Sequence, residues 1–213
     1  DRFSYHYREG GNNIQIRGSS NVEVRNITSH AASAMFVNAD GTDSLTVIDS
    51  RVEIPPGRWR STNGDGVHVK RGDDLLIENC SFSGVSDDAI NITEVVGFSV
   101  TNNTFLDKRR HAILFDADNN GGNPPNSTLG LVQGNYTAFN GGSFISHKGG
   151  DYATVTIELN DALNNNLTRA LTANHHVRLI AGVGGLAAAG AIGADGLWGD
   201  GDEAGVAAEL AAA

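Results

Sequence analysis

Asp65, Asp88 and His111 stand 23 residues apart in succession, and Asp87 adjoins the second of them. If the chain repeats with that period, three carboxylates and an imidazole meet along one line. Like charges this close cannot all ionise cheaply, so at least one carboxyl is expected to keep its proton where an isolated one would lose it. A proton-holding carboxyl beside ionised ones is what glycoside hydrolysis uses. One group protonates the leaving oxygen and another activates a water, across a gap of about 6.5–9.5 Å when configuration is inverted. The competing expectation is structural, because Asp and Asn side chains also take backbone hydrogen bonds in tight bends and stack there.

The chemistry therefore depends on whether the chain repeats. One series of short apolar segments carries Val22, Leu45, Leu75, Phe98, Leu129 and Ala153 at matching positions, at intervals of 23, 30, 23, 31 and 24. A second series between them carries Ile14, Met35, Val67, Ile90, Ile113 and Phe144, at intervals of 21, 32, 23, 23 and 31. Two independent series share one rhythm, lengthened where loops are inserted. Each segment alternates apolar and polar residues, so each is expected to be a strand burying one face. The connections are rich in Asn, Asp, Ser and Gly, which bend the chain. Coils of about 23 residues with two or three short strands predict an all-β fold, a single-stranded parallel β-helix of about 6–7 coils. Asn79–Phe82 and Asn102–Phe105 supply a third short side. A β-propeller needs blades of about 40 residues and antiparallel hairpins, and hairpin signals are mostly absent.

Two segments break the rhythm: 54–61, which contains Trp59, and 116–127. The solenoid is expected over 1–178, with its first coils missing. Residues 179–213 read as an Ala/Gly-rich tail or cap; of the 33 residues from 181 onward, 21 are Ala or Gly.

Composition excludes several functions. The 213 residues carry 15 Lys+Arg against 25 Asp+Glu, a net charge of −10, which argues against nucleic acid as a partner. The single Cys80 excludes an internal disulfide framework and a cysteine zinc cluster, and is expected inside the solenoid. The uncharged stretch 179–194 is too short and too weakly apolar to span a bilayer.

The stretch Asn63-Gly64-Asp65-Gly66, then Ser86-Asp87-Asp88, then Arg110-His111-Ala112 resembles the polygalacturonases of glycoside hydrolase family 28. Asp65-Gly66-Val67-His68 and Asp87-Asp88-Ala89-Ile90-Asn91 also resemble the family-110 exo-α-galactosidases. His111 lacks the flanking glycines of the first family, and no Arg-x-Lys follows; His147-Lys148 is the nearest substitute. The resemblance implies a right-handed, pectin-lyase-like solenoid, secreted or periplasmic, acting as an inverting glycosidase on a galactose- or galacturonate-containing polysaccharide. It further implies Asp87 as the general acid, with Asp65 and Asp88 holding the attacking water.

Around these acids, His111, His68, Asn91 and Asn63 are candidates for binding sugar hydroxyls, and Trp59 for stacking on a ring. Arg58, Arg60, Lys70, Arg71, Lys108, Arg109, Arg110 and Lys148 fall near the same coils; Arg109, Arg110 and Lys148 are the preferred contacts to an anionic sugar. Charged edges that suppress strand pairing explain the same cations without a substrate. No cofactor is required. The run Asp116-x-Asp118-x-Asn120-Gly121 looks like half of a calcium loop, with Ser127 where the last ligand should be, so a structural calcium is the only ion the motifs admit. His175-His176 has no companions of metal spacing. The oligomeric state is not legible. Two rival readings use the same scaffold: a polysaccharide lyase or epimerase, with a Lys, Arg or His base and calcium, and a non-catalytic adhesin or fibre module.

Overall fold

A computed structural model describes residues 11–107, 109–116, 127–138, 144–148, 155–163, 177–180 and 190–192. Among them every element is a strand, and all pairings are parallel except Val177–Ile180 with Gly190–Ile192. The strands Ile14–Arg17, Val37–Asp40, Val67–Glu78, Ile90–Thr101, Ile113–Asp116 and Ile145–Lys148 stack in that order in the larger sheet. The second sheet stacks Thr28–Ser29, Arg51–Val52, Ser81–Ser83, Thr104–Leu106, Tyr136–Ala138 and Asp161–Leu163. The result is a parallel β-helix, as the two interleaved series predict. No helix among the described residues is long and apolar enough to cross a membrane.

Register corrects both series. Ile14, Val37, Val67, Ile90, Ile113 and Ile145 lie one above another, so Val37 and Ile145 replace the expected Met35 and Phe144. In the other series Gly130 and Val155, not Leu129 and Ala153, continue Phe98. The reason is volume. A Cβ on Gly130 would lie 1.9 Å from Phe98 Cζ, so the Phe98 ring fills the space that a side chain at 130 would take. Leu129 turns outward instead, 64% exposed.

The interior is a set of apolar columns. Val67, Ile90 and Ile113 are fully buried, as are Val47, Ile77, Val100 and Val132. Phe82 and Phe105 stack one coil apart with ring centres 5.6 Å from each other, and Phe98 lies 5.3 Å from Phe115. Such ring pairs add about 1 kcal/mol each beyond burial. Cys80 is buried as expected, and burial pushes its thiol up to about 11, which keeps it inert.

The corners repeat as strictly as the strands. Gly18, Gly41, Arg71 and Glu94 share one corner and all have positive φ. Asn21, Ser44, Asp74 and Gly97 share a second, and Asn26, Asp49, Asn79, Asn102 and Gly134 a third. Each coil thus turns by single left-handed residues, a conformation that Gly, Asn and Asp tolerate best.

Beside the third corner runs a ladder of asparagines. The N–H of Cys80 donates to Asn103 Oδ1, that of Asn103 to Asn135 Oδ1, and that of Asn135 to Asn160 Oδ1, each at 2.9 Å. The amide groups of these asparagines donate in turn to the Ile77, Val100 and Val132 carbonyls. Every buried donor and acceptor on these three side chains is used.

Candidate active site

The acids occupy the bend that leads into the larger sheet. Register puts Asn12, Met35, Asp65, Asp88 and His111 in one column, two residues before the strand positions Ile14, Val37, Val67, Ile90 and Ile113. Asn12 Oδ1 accepts the Met35 N–H at 3.1 Å. Asp65 Oδ1 accepts the Asp88 N–H at 3.1 Å, and Asp88 Oδ1 accepts the His111 N–H at 3.0 Å. Each of these side chains therefore satisfies the next coil's backbone, the structural role that bend Asx residues play. The bend is tight: a Cβ on Gly66 would come within 2.5 Å of the Ala89 carbonyl and 2.7 Å of the Phe82 ring.

Asp65, Asp87 and Asp88 each bring one carboxylate oxygen to within 4.8 Å of the others. This is closer than the gap expected from the sequence. Two of the three are also more enclosed than a groove-lining acid would be, with Asp65 4% and Asp88 1% exposed. Asp87 is the least enclosed of the three, its side chain 13% exposed, and its Oδ1, itself buried, pairs with Arg110 Nη1 at 2.9 Å. Burial and then the neighbouring Asp65 charge push the Asp88 carboxyl up to about 7. Below about pH 7 the cluster therefore retains a proton, chiefly through burial and only secondarily through the like-charge spacing read from the sequence.

His68 lies three residues beyond Asp65, and its Nδ1 sits 2.7 Å from Asp65 Oδ2. Both Asp65 oxygens are thus engaged, one by backbone and one by imidazole. His68 Nε2 is buried without a hydrogen-bond partner. Asn91 is the register neighbour of His68 and is buried, its Oδ1 taking the Thr93 hydroxyl. His111 meets Asp88 through its backbone, and Asn63 is half-buried in the same bend.

The inserted segment reaches the same place. Ser61 and Thr62 anchor it, through Ser61 Oγ to the Ser83 carbonyl at 2.6 Å and the Thr62–Val85 bridge. Arg60 Nη1 donates to Ser86 Oγ at 3.0 Å, and Ser86 Oγ donates to the Thr62 carbonyl. Trp59 is 75% exposed next to it. Arg109 donates its backbone N–H to the Val85 carbonyl at 3.2 Å. Burial, followed by repulsion from Arg109, lowers the Arg60 pKa. Sequence reasoning counted Arg60 among nearby cations but missed its link to Ser86. The signal was the length of the insertion, which returns the chain to the bend just before Asn63.

Lys148 is not brought to this cluster. It lies opposite Asp116, at the end of the strand remote from the acids, about 16 Å along the backbone from their column. Lys108, His175-His176 and the calcium-like run beyond Asp116 fall outside the described residues.

Residues 12–184 match the family model described as the right-handed β-helix region. Among solved structures, the chain is similar to the A-module of mannuronan C-5 epimerase AlgE4 from Azotobacter vinelandii, at 12% identity and a TM-score of 0.45. That likeness covers 82% of this chain and 58% of the other. No curated protein matches the chain.

Proposed function

The chain belongs to the right-handed β-helix family, and on that scaffold we propose an inverting glycoside hydrolase acting on a galactose- or galacturonate-containing polysaccharide. The observation that carries this reading is the convergence of Asp65, Asp87 and Asp88, with a proton retained on Asp88 near neutral pH.

Asp87 is the carboxyl that meets the glycosidic oxygen, because it is the least enclosed of the three. Asp65 and Asp88 are too enclosed to attack an anomeric carbon themselves, which argues against a covalent intermediate. They can hold a small molecule: one water bonded to two carboxylate oxygens spans about 4.5 Å between them, and the three acids keep within 4.8 Å. In the cycle, the proton resting on Asp88 passes through a bridging water to Asp87. Asp87 gives it to the leaving oxygen as the bond to the anomeric carbon breaks. Water adds to that carbon and returns its proton to Asp88. Protons balance over the turnover; because Asp65 and Asp88 act through water and not by direct attack, no glycosyl-enzyme forms and configuration inverts, although the acids lie closer than the usual gap for inversion.

Release of new reducing ends from galactans, carrageenans or pectins tests the reading, with the product anomer followed by NMR. Asp87→Asn should lower kcat by about 10²–10⁴ with the fold unchanged, the usual contribution of a positioned acid. Activity should also fall as pH rises through about 7, where Asp88 loses its proton. Full activity in the Asp87→Asn protein would overturn the assignment.

A second reading uses the same three oxygens. They lie close enough together to share one calcium, whose ligands stand about 2.3–2.6 Å from the ion. A calcium there would neutralise a uronate carboxylate for a lyase or epimerase. Absorbance near 235 nm from an unsaturated product, abolished by chelator, would favour that reading over hydrolysis.

A further inference from the structure

Asp87 has a different neighbour on each side along the solenoid axis. Ala34, Gly64, Asp87 and Arg110 each stand three residues before the paired positions Val37, Val67, Ile90 and Ile113, so they form one column. On one side of the acid lies Gly64, which has no side chain. On the other lies Arg110, whose Nη1 comes to 2.9 Å from Asp87 Oδ1. The two partners are enclosed to different degrees. The Asp87 side chain is 13% exposed and its Oδ1 is buried, whereas the Arg110 side chain is 55% exposed. The guanidinium is therefore part of what closes that oxygen off from solvent. The proposed reaction needs the opposite, because Asp87 must touch a glycosidic oxygen. An ion pair made by so exposed an arginine contributes little stability and is readily exchanged. Among the described residues the Arg110 guanidinium makes no other ion pair or hydrogen bond, so most of its five N–H groups remain for another acceptor.

We infer that Arg110 is the specificity-determining residue of this site: it covers Asp87 in the free chain, and it turns to the carboxylate or sulfate of an anionic sugar, which uncovers the acid. Two parallel N–H bonds to either anion hold a guanidinium better than the Nη1 contact to Asp87 does. The anion then lies on the Arg110 side of the acid, one coil or about 5 Å along the axis, which places it on the sugar next to the bond that is cut. A neutral sugar offers Arg110 no such exchange, so the acid stays covered against it. The inference rests on the proposed hydrolase for the bond that is cut, but not for the recognition of the anion.

The test compares matched charged and neutral oligosaccharides: tetragalacturonate with its methyl ester, and a sulfated galactotetraose with the unsulfated one. Turnover is read as new reducing ends, and binding by calorimetry in the full chain carrying Asp88→Asn. The charged member of at least one pair should show a kcat/KM about tenfold above its neutral partner, and the pair that does so identifies the anion. Arg110→Ala should lower kcat/KM and affinity for that anion about tenfold. The same variant should raise kcat/KM for the neutral partner, about threefold or more, because nothing then covers the acid. Opposite changes on the two sugars are what a merely structural arginine does not produce. Arg110→Lys keeps a cation over Asp87 but loses the fork, so the neutral sugar should stay slow and the charged one recover only in part. Arg51→Ala, at a 66% exposed side chain that pairs with Glu53, should change none of these values. Equal losses on both members of a pair in Arg110→Ala would overturn the inference, as would a neutral sugar that gains nothing or charged and neutral sugars bound alike. A loss as large in Arg51→Ala would do the same, by reducing the effect to net charge. Arg110-dependent binding of the anion without turnover of any oligosaccharide would sink the hydrolase and leave the anion recognition standing.

Discussion

Two columns of stacked polar side chains run up this solenoid, and they solve one problem with different chemistry. At the asparagine ladder, Asn103, Asn135 and Asn160 accept a backbone N–H from the coil below and donate to carbonyls of that coil. At the acid bend, Asp65 and Asp88 also accept a backbone N–H from the adjacent coil, but a carboxylate has nothing to donate. The ladder is neutral and self-satisfied. The acid bend accumulates like charge in a nearly closed space, and Asp88 responds by holding its proton to about pH 7. Asparagine would fill both bends at lower cost, and Asn12 does so in the first described coil of the acid column. A side chain that costs stability where a cheaper one would fold as well points to chemistry.

The comparison breaks first on pH. Raising the Asp88 pKa from 3.8 to about 7 means that the folded chain binds a proton the unfolded chain has released between those values. Stability contributed by this group is therefore fully present below about pH 4 and is lost as pH rises through 7, by an amount on the order of 4 kcal/mol. Asp88→Asn keeps the Oδ1 acceptor for His111 and should flatten that part of the profile in urea titrations run at several pH values. A slope unchanged by the substitution would refute the electrostatic account of the bend.

Next in size is the reverse exchange. Asn135→Asp would put a carboxylate against the Val100 carbonyl and Asn160 Oδ1, which now accept from the Asn135 amide. Unfolding free energy should drop by about 3 kcal/mol at pH 7, and by less at pH 4, where the acid can stay neutral. If Asn135→Asp were tolerated, the contrast between the columns would have no energetic basis.

The smallest expected effect sharpens the contrast between scaffold and insertion. Trp59 touches solvent over most of its surface, so Trp59→Ala should change stability by less than about 0.5 kcal/mol while weakening sugar binding. Thermal melting and calorimetry on the same protein separate the two.

Much of this could be read from residue order alone, and the failures have physical causes. The 23-residue spacing of Asp65, Asp88 and His111 stacks them as expected, because the backbone rise between coils does not depend on side-chain detail. Apolar matching slipped at Met35 because Phe36, the larger neighbour, is the one packed inside. It slipped again at Gly130, since a glycine beneath a phenylalanine ring leaves no apolar mark in the sequence. The enclosure of Asp65 and Asp88 was not legible, because burial at a bend is set by neighbours on other coils. The Arg60–Ser86 contact was hidden for a similar reason: an insertion's length says where it leaves and rejoins, not which residues it lays across.

The left-handed corners have a consequence for how such a molecule can change. Each corner fixes the chain's heading by itself, so residues added between two corners bulge outward and leave the floors above and below undisturbed. The segment carrying Trp59 and Arg60 is such an addition, hung on a stack whose courses close without it. Such a projecting segment can then be exchanged at little risk to the masonry that keeps the acids in line.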